Sequence, residues 1–455
     1  MPTDTRPNIV YLHSHDTGRY VQPYGYAVDT PNYQRLAQEG VLFRQAFSAA
    51  PTCSPSRAAL LTGQAPHSAG MLGLAHRGFR LNDPGQHLAT TLRDHGYRTA
   101  LAGVQHLTDD DPRILGYDEV LSGPDRDPAT IASAAVDVIR RSGKYPDSPF
   151  FLDVGFFETH RPFPEVDEAD ARYVLAPAPF PDTPETRRDM AAYHAEVRKL
   201  DSGVGHVLDA LDETGLAATT LVICTTDHGL AFPAMKCNLT DHGTGVLLIL
   251  HGPAPFAGGR ISDALVSQID LYPTLCDLLG IDPPAWLQGR SLLPHLRGET
   301  GHVNDQVFSE VTYHAAYEPQ RAVRTDRWCY IHRFDAMETP VLPNCDESPT
   351  RDLWLAHGWE TRPIAPEQLY DTVFDPYQVN NLASDPDLAP VLDDLRQRLR
   401  AWMAVTGDPL LEGPVTLPPG AMANPPDGRS PLVDDLFLGQ PDGTTKVIPN
   451  PATSR

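Results

Sequence analysis

The sequence predicts an α/β protein: a mostly parallel central sheet flanked by helices, followed by a smaller C-terminal α+β domain containing an antiparallel sheet. Three observations predict it. Short apolar, β-branched runs alternate with helix-length segments through the first two thirds of the chain, and runs apolar on both faces belong to strands covered by helices on each side. Near residue 300 the pattern changes to closely spaced short strands, as expected of a separate antiparallel sheet. Proline accounts for 45 of 455 residues, which excludes an all-helical bundle and requires many turns.

The predicted central strands are Asn8 to Leu12, Val41 to Phe47, Arg98 to Ala102, Phe150 to Phe156, Thr220 to Thr226 and Val246 to Leu250. Helices are predicted over Pro31 to Glu39, Ala129 to Ser142, Pro184 to Thr214 and Asp270 to Leu279. Beyond them lie short strands at Gln306 to Val311, Arg321 to Thr325, Trp328 to Phe334 and Gln368 to Asp371, then a helix over Leu388 to Val405. Leucines 392, 395 and 399 share one face of that helix. We divide the chain into an α/β domain, 1–300, a smaller domain, 301–410, and a Pro/Gly-rich tail, 411–455. The tail is expected to wrap over the surface or to lie at a subunit contact of a homo-oligomer.

Acidic side chains outnumber basic ones 59 to 36, a net charge of −23. That excludes nucleic acid as the expected partner, since such binding rests on Lys and Arg neutralising phosphates. No apolar run reaches the roughly 20 residues needed to cross a bilayer, and no signal-peptide core precedes Asn8, so no membrane partner and a cytoplasmic location are expected. The six cysteines have no CxxC spacing, which points away from a zinc ribbon and a dense disulfide framework.

In an open α/β sheet, ligands bind beyond the carboxyl ends of the strands. There the sequence places His13-Ser14-His15-Asp16, His106, His160 and Asp227-His228 after four different strands. Two carboxylates and two imidazoles, His15, Asp16, Asp227 and His228, suit one divalent cation; the alternative is that the histidines only support the carboxylates. In Cys53-Ser54-Pro55-Ser56-Arg57-Ala58-Ala59-Leu60-Leu61-Thr62-Gly63, Pro55 suits a first helical turn and Gly63 a helix end. Cys53 would then sit at a helix N-terminus, where negative charge is favoured and a thiolate could form.

Cys-x-Pro-x-Arg followed by Leu-x-Thr-Gly resembles the signature of the type I sulfatases, in the alkaline phosphatase superfamily. Arg6-Pro7-Asn8, Thr30-Pro31-Asn32, Gly40-Val41-Leu42-Phe43, Asp227-His228-Gly229, Asp270-Leu271-Tyr272-Pro273-Thr274 and Gly289-Arg290-Ser291-Leu292 resemble further landmarks of that family. Gly70-Met71-Leu72-Gly73-Leu74 and Asp201-Ser202-Gly203-Val204-Gly205 are most similar to its sulfamate-cleaving branch. The resemblance implies that Cys53 is oxidised to formylglycine by a formylglycine-generating enzyme, and that Arg57 holds the nucleophile. It further implies that His15, Asp16, Asp227 and His228 bind one divalent cation, calcium by family default. His106 would help collapse the covalent intermediate, and His160 and Lys236 would hold the sulfate oxygens and the leaving group.

Three positions depart from the family pattern. His15-Asp16 replaces Asp-Asp and Asp227-His228 replaces Asp-Asn, a softer set that makes manganese, iron or zinc plausible. Val104 stands where the family usually has lysine, which removes one cationic contact. The expected activity is metal-dependent hydrolysis of sulfate esters or sulfamates on a small-molecule or carbohydrate substrate. The alternatives are a phosphodiesterase or phosphonate monoester hydrolase on the same scaffold, which His228 resembles, and a catalytically silent binding protein. Less weighted candidates are His67, His76 and Arg77, Glu158 and Arg161, and Tyr313, His314 and Tyr317.

Overall fold

In the computed structural model, residues 6–121, 126–145, 148–432 and 435–450 are described. The main sheet has eight strands in the spatial order Glu119–Val120, Arg98–Gly103, Phe150–Gly155, Asn8–Ser14, Thr220–Thr226, Leu248–His251, Val41–Phe43 and Arg260–Ser262. Leu248–His251 runs antiparallel to both of its neighbours, and the other pairings are parallel. Alternation along each strand sends side chains into two separate cores, which is why the runs read as apolar on both faces. Ile9, Tyr11, Leu101, Phe151 and Ile223 enter one core; Val10, Leu12, Ala102, Leu152 and Val222 enter the other.

The predicted strand Val41 to Phe47 breaks after Phe43, because Arg44 and Gln45 turn the chain. Ala46–Phe47 then pairs in parallel with Val266–Ser267 in a ladder of its own. The edge strands Glu119–Val120 and Arg260–Ser262 have two and three residues, too short to leave a periodic signal.

Helix Pro184–Glu213 is the longest element among the described residues. Thr183 opens it by accepting from Thr186 N, and Tyr193, Val197, Leu200, Val204, Val207 and Leu211 pack on the second core. Its Asp201 carboxylate accepts from Asn32 N at 3.1 Å and Tyr33 N at 2.9 Å. That satisfies the orphan N–H groups of helix Pro31–Glu39.

Four antiparallel strands, Val307–Tyr313, Tyr317–Arg324, Trp328–Arg333 and Glu367–Asp371, form the smaller sheet in sequence order. Helix Ala389–Thr406 lays Leu392, Leu395, Leu399 and Met403 against Val323, Tyr330 and Leu369, the face marked by the leucine spacing. Beyond residue 410, Met422–Ala423, Leu436–Gly439 and Thr445–Ile448 make a three-stranded sheet. Leu417, Ala421 and Ala423 are buried in the first core, so the tail returns to the main unit. Among the described residues no helix is long and apolar enough to cross a membrane.

Candidate active site

Four adjacent strands, Arg98–Gly103, Phe150–Gly155, Asn8–Ser14 and Thr220–Thr226, deliver the chemistry to one edge. Their registers place Gly103 beside Gly155, His13 beside Gly155 and Ser14 beside Thr226. The close approach explains Gly155: a Cβ there would lie 1.9 Å from Val104 O and 2.6 Å from His13 Cε1. The residues following Ser14 and Thr226 meet at once, with Asp16 N donating to Asp227 Oδ1 at 2.8 Å. Asp16 and His106 both have left-handed backbones, φ 54° and 56°, a costly conformation for a side-chain-bearing residue that clusters at functional sites.

Helix Cys53–Thr62 approaches this edge with its N-terminus. Thr52 makes no side-chain cap, Gly63 closes the other end at φ 68°, and every residue from Cys53 to Thr62 is buried. Ser56 Oγ donates to Asp227 O at 2.6 Å, and Arg57 Nη2 donates to Asp227 Oδ2 at 2.9 Å and Ser14 O at 2.8 Å. Cys53 Sγ lies 3.9 Å from Asp16 Oδ1 and 3.4 Å from His228 Nε2. The thiolate allowed by the sequence is not favoured, because burial pushes the Cys53 thiol well above its ordinary value, and the nearby Asp16 and Asp227 charges add to it.

Behind Arg57 runs a buried chain the sequence does not reveal. Arg57 Nη1 donates to His13 Nδ1, so His13 carries its proton on Nε2 and gives it to Asp153 Oδ1 at 2.8 Å. Tyr117 OH donates to the other oxygen of Asp153 at 2.5 Å. Burial holds His13 below its ordinary pKa, in keeping with a neutral ring.

The donor atoms of His15, Asp16, Cys53 and Asp227 all lie within 4.8 Å of one another. Both ring nitrogens of the buried His15 lack a hydrogen-bond partner; the nearest carboxylate oxygen, Asp227 Oδ2, is 3.3 Å from Nδ1. Burial pushes His15 well below its ordinary range, and Arg57, His106 and His160 push the same way. His228 Nε2 lies 3.2 Å from Asp16 Oδ1. Lys236 Nζ sits 2.9 Å from Asp16 Oδ2 and 3.2 Å from Asp346 Oδ2. Against the cost of burial, Asp16 and Asp346 hold Lys236 charged, well above its ordinary pKa.

His106 and His160 come close to the same place, their ring centroids 5.6 Å and 6.0 Å from that of His15. His160 Nδ1 donates to Arg161 O at 2.6 Å. His106 Nε2 meets His76 Nδ1 at 3.0 Å in a stacked pair, and His106 Nδ1 has no partner. All nine predicted site residues, Cys53, Arg57, His106, His160, Lys236, His15, Asp16, Asp227 and His228, therefore lie in one connected cluster.

A profile described as Sulfatase matches residues 7–281, more than half of the chain. The chain belongs to the sulfatase family. A second profile, N-sulphoglucosamine sulphohydrolase, C-terminal, matches residues 236–353 of this sulfatase. Human N-sulphoglucosamine sulphohydrolase is 32% identical over 442 residues, covering 85% of this chain and 88% of the human protein. An ulvan-active sulfatase of Formosa agariphila is 28% identical over 426 residues, covering 91% and 83%. A crystal structure of a putative sulfatase from Bacteroides fragilis superposes with a TM-score of 0.73 at 20% identity, covering 91% of this chain and 99% of that one.

The other candidates separate in this sulfatase. Arg161 is held by Asp189 at 2.7 Å and donates to Ala231 O at 2.7 Å, with Phe163 and Phe232 against its guanidinium; it supports the loop. His67 points away from the cleft into a buried cluster with Glu310, Asp408 and Arg321, which joins the segment behind the Cys53 helix to the smaller sheet. Tyr313 OH donates to Val415 O, and Tyr317 OH accepts from Val415 N; both hold the tail. His314 is different, since its Nδ1 is buried without a partner. His76 and Asp346 are the cleft residues that sequence reasoning undervalued or missed. His76 follows the Cys53 helix in sequence, a weak signal; Asp346 carries none, because only the fold brings it to Lys236.

Proposed function

We propose that this sulfatase is a divalent-cation-dependent hydrolase of sulfate esters or sulfamates, working through a formylglycine made from Cys53 by a formylglycine-generating enzyme. The observation that carries the reading is the convergence of His15, Asp16, Cys53 and Asp227 within 4.8 Å at an uncapped helix N-terminus. The donor set fits a divalent cation: two carboxylates, a buried imidazole with both nitrogens unpartnered, and His228 beside Asp16. Calcium, manganese, iron or zinc match these donors, the imidazoles favouring the last three. When bound, the cation supplies charge stabilisation to the transferring sulfuryl group. Conversion of Cys53 to the hydrated aldehyde provides one hydroxyl to attack sulfur and a second whose deprotonation breaks the resulting ester.

Each remaining task falls to a residue of the chain. Arg57 fixes Asp227 and the nucleophile helix in one frame. Lys236 presents positive charge to the sulfuryl oxygens. His160, with Nδ1–H committed to Arg161 O, has Nε2 left to give a proton to the departing oxygen or nitrogen. His106 Nε2 pairs with His76 Nδ1 at 3.0 Å and its Nδ1 has no partner; in the tautomer that carries the proton on Nε2, the lone pair of Nδ1 takes the proton of the second hydroxyl. Residues 1–300 would carry this chemistry, with the smaller domain, 301–410, contributing beside it and a sulfated small molecule or carbohydrate as substrate.

Parallel assays on aryl sulfate, sulfamate, phosphodiester and phosphonate esters test the reading, together with metal analysis and peptide mass spectrometry across Thr52 to Arg57. Preference for the sulfur substrates and a thiol-to-aldehyde mass shift are expected; an unmodified thiol in fully active enzyme overturns the formylglycine step. A phosphodiesterase or phosphonate monoester hydrolase is the second reading, favoured by His228 and by Val104 at the usual lysine position. Preference for phosphorus esters by orders of magnitude would establish it.

A further inference from the structure

We propose that Asp346 is a specificity-determining residue whose carboxylate accepts hydrogen bonds from an amine or hydroxyl on the leaving-group side of the substrate, selecting donor-bearing sugars over aryl sulfates. The inference rests on the sulfate ester or sulfamate reading above. Asp16, 2.9 Å from Lys236 Nζ, already supports the buried ammonium, and a further carboxylate 3.2 Å from it helps keep the lysine charged but also weakens its attraction for a sulfuryl anion. The arrangement makes sense when the substrate brings its own donors to that side. A carboxylate is an acceptor-only group and pairs with N–H and O–H.

Two features make Asp346 a built site. First, it is preorganised from both directions. On one side Asn344 accepts from Ala316 N at 2.7 Å and donates to Glu318 Oε2 at 2.8 Å. On the other, Ser348 caps helix Pro349–Ala356, and Thr350 Oγ1 donates to Asp189 Oδ2 at 2.6 Å. Asp189 also grips Arg161, next to His160, so the loop bearing Asp346 and the loop bearing His160 share one anchor. Second, the side chain is open where Lys236 is not: 26% exposed against 2%. Its Oδ2 is buried against Lys236, so the open part is the remainder of the side chain.

The experiment compares Asp346→Asn, which keeps shape and removes charge, with Asp346→Glu, which keeps charge. Steady-state kinetics on N-sulfo-D-glucosamine and on 4-nitrophenyl sulfate give kcat and KM separately, and calorimetry measures binding of D-glucosamine independently of turnover. Asp346→Asn is expected to lower kcat/KM for the sugar at least about tenfold more than for the aryl sulfate, mainly through KM, and to weaken D-glucosamine binding by about tenfold. Asp346→Glu is expected to recover part of both. Equal losses on the two substrates would overturn the inference, because an Asp346 that merely orients Lys236 affects every sulfate alike. Wild-type enzyme that turns over neither sulfate would defeat the hydrolase reading instead. In that case D-glucosamine binding decides: none, or the same in Asp346→Asn as in wild type, overturns the role of Asp346.

Discussion

The two sides of the Asp16–Asp227 pair are built on opposite principles. On the closed side Tyr117, Asp153, His13, Arg57 and Asp227 form one buried chain in which each residue is bonded to the next. On the open side both nitrogens of His15, and Nδ1 of His106 and of His314, are buried without partners. Burying a polar group unpaired costs free energy, so the closed side stabilises the molecule while the open side spends stability on atoms kept ready for a ligand. Mutations on the two sides should therefore fail in different ways, the open side in turnover and the closed side in folding.

Cys53→Ala gives the largest expected effect and the clearest break between them. Turnover should fall by on the order of 10⁴-fold or more while the unfolding midpoint barely moves; substantial residual activity would count against the nucleophile assignment. Arg57→Ala belongs to both sides. It leaves Asp227 buried without its cation and should destabilise the fold by about 3–5 kcal/mol in denaturant titration, with activity lost as well. His13→Leu should cost about 1–3 kcal/mol, since it removes the Nε2–H that Asp153 accepts; a variant as stable as wild type would show that the chain behind Arg57 carries no load. His76→Ala frees the ring of His106 and should lower kcat by about tenfold, with thermal stability unchanged because His76 is exposed.

The smallest effect lies far from the cleft and serves as a control. Arg396 Nε donates to Glu367 Oε1 at 2.7 Å, and this bonding holds Glu367 at about 2, against an ordinary value of 4.5. A depressed carboxyl pKa stabilises the fold above the unfolded value and loses that contribution as pH falls through the folded one. Glu367→Gln should therefore cost under about 1 kcal/mol at neutral pH, since solvent screens the pair. The gap from wild type should close between pH 4.5 and 2; a gap that persists at pH 2 would assign the cost to packing.

Legibility in the sequence followed the same division. Residues that follow a strand are visible because the strand itself is: His15-Asp16 and Asp227-His228 stand directly after apolar runs, and parallel pairing in register brings them together. The Cys53 helix carries its own start and stop in Pro55 and Gly63. The closed side was hidden because Asp153 lies inside a strand, where a polar residue reads as an exception to an apolar run, because the first strand runs on to Ser14 and turns His13 away from the ligand edge where the sequence places it, and because Tyr117 lies outside any long element. Asp346 was hidden because contact with Lys236 spans 110 positions and two sheets. Edge strands of two or three residues carry no period, and the tail sheet is punctuated by proline and glycine, which read as loop.

The His67 cluster bears on whether the smaller sheet is a detachable accessory. Arg321 and Asp408 are joined by Nη2 to Oδ1 at 3.0 Å, Arg321 reaches Glu310 at 3.2 Å, and His67 bonds to Glu310 from the main unit. Asp408 follows helix Ala389–Thr406 by two positions, so a chain cut just before it would strand a buried arginine with half of its counter-charge. The fold is thus locked from its far end, much as a keystone placed last holds an arch. Engineering that seeks a minimal version of this enzyme should keep the chain at least through Asp408, and a fragment ending at residue 300 should be recovered as insoluble material.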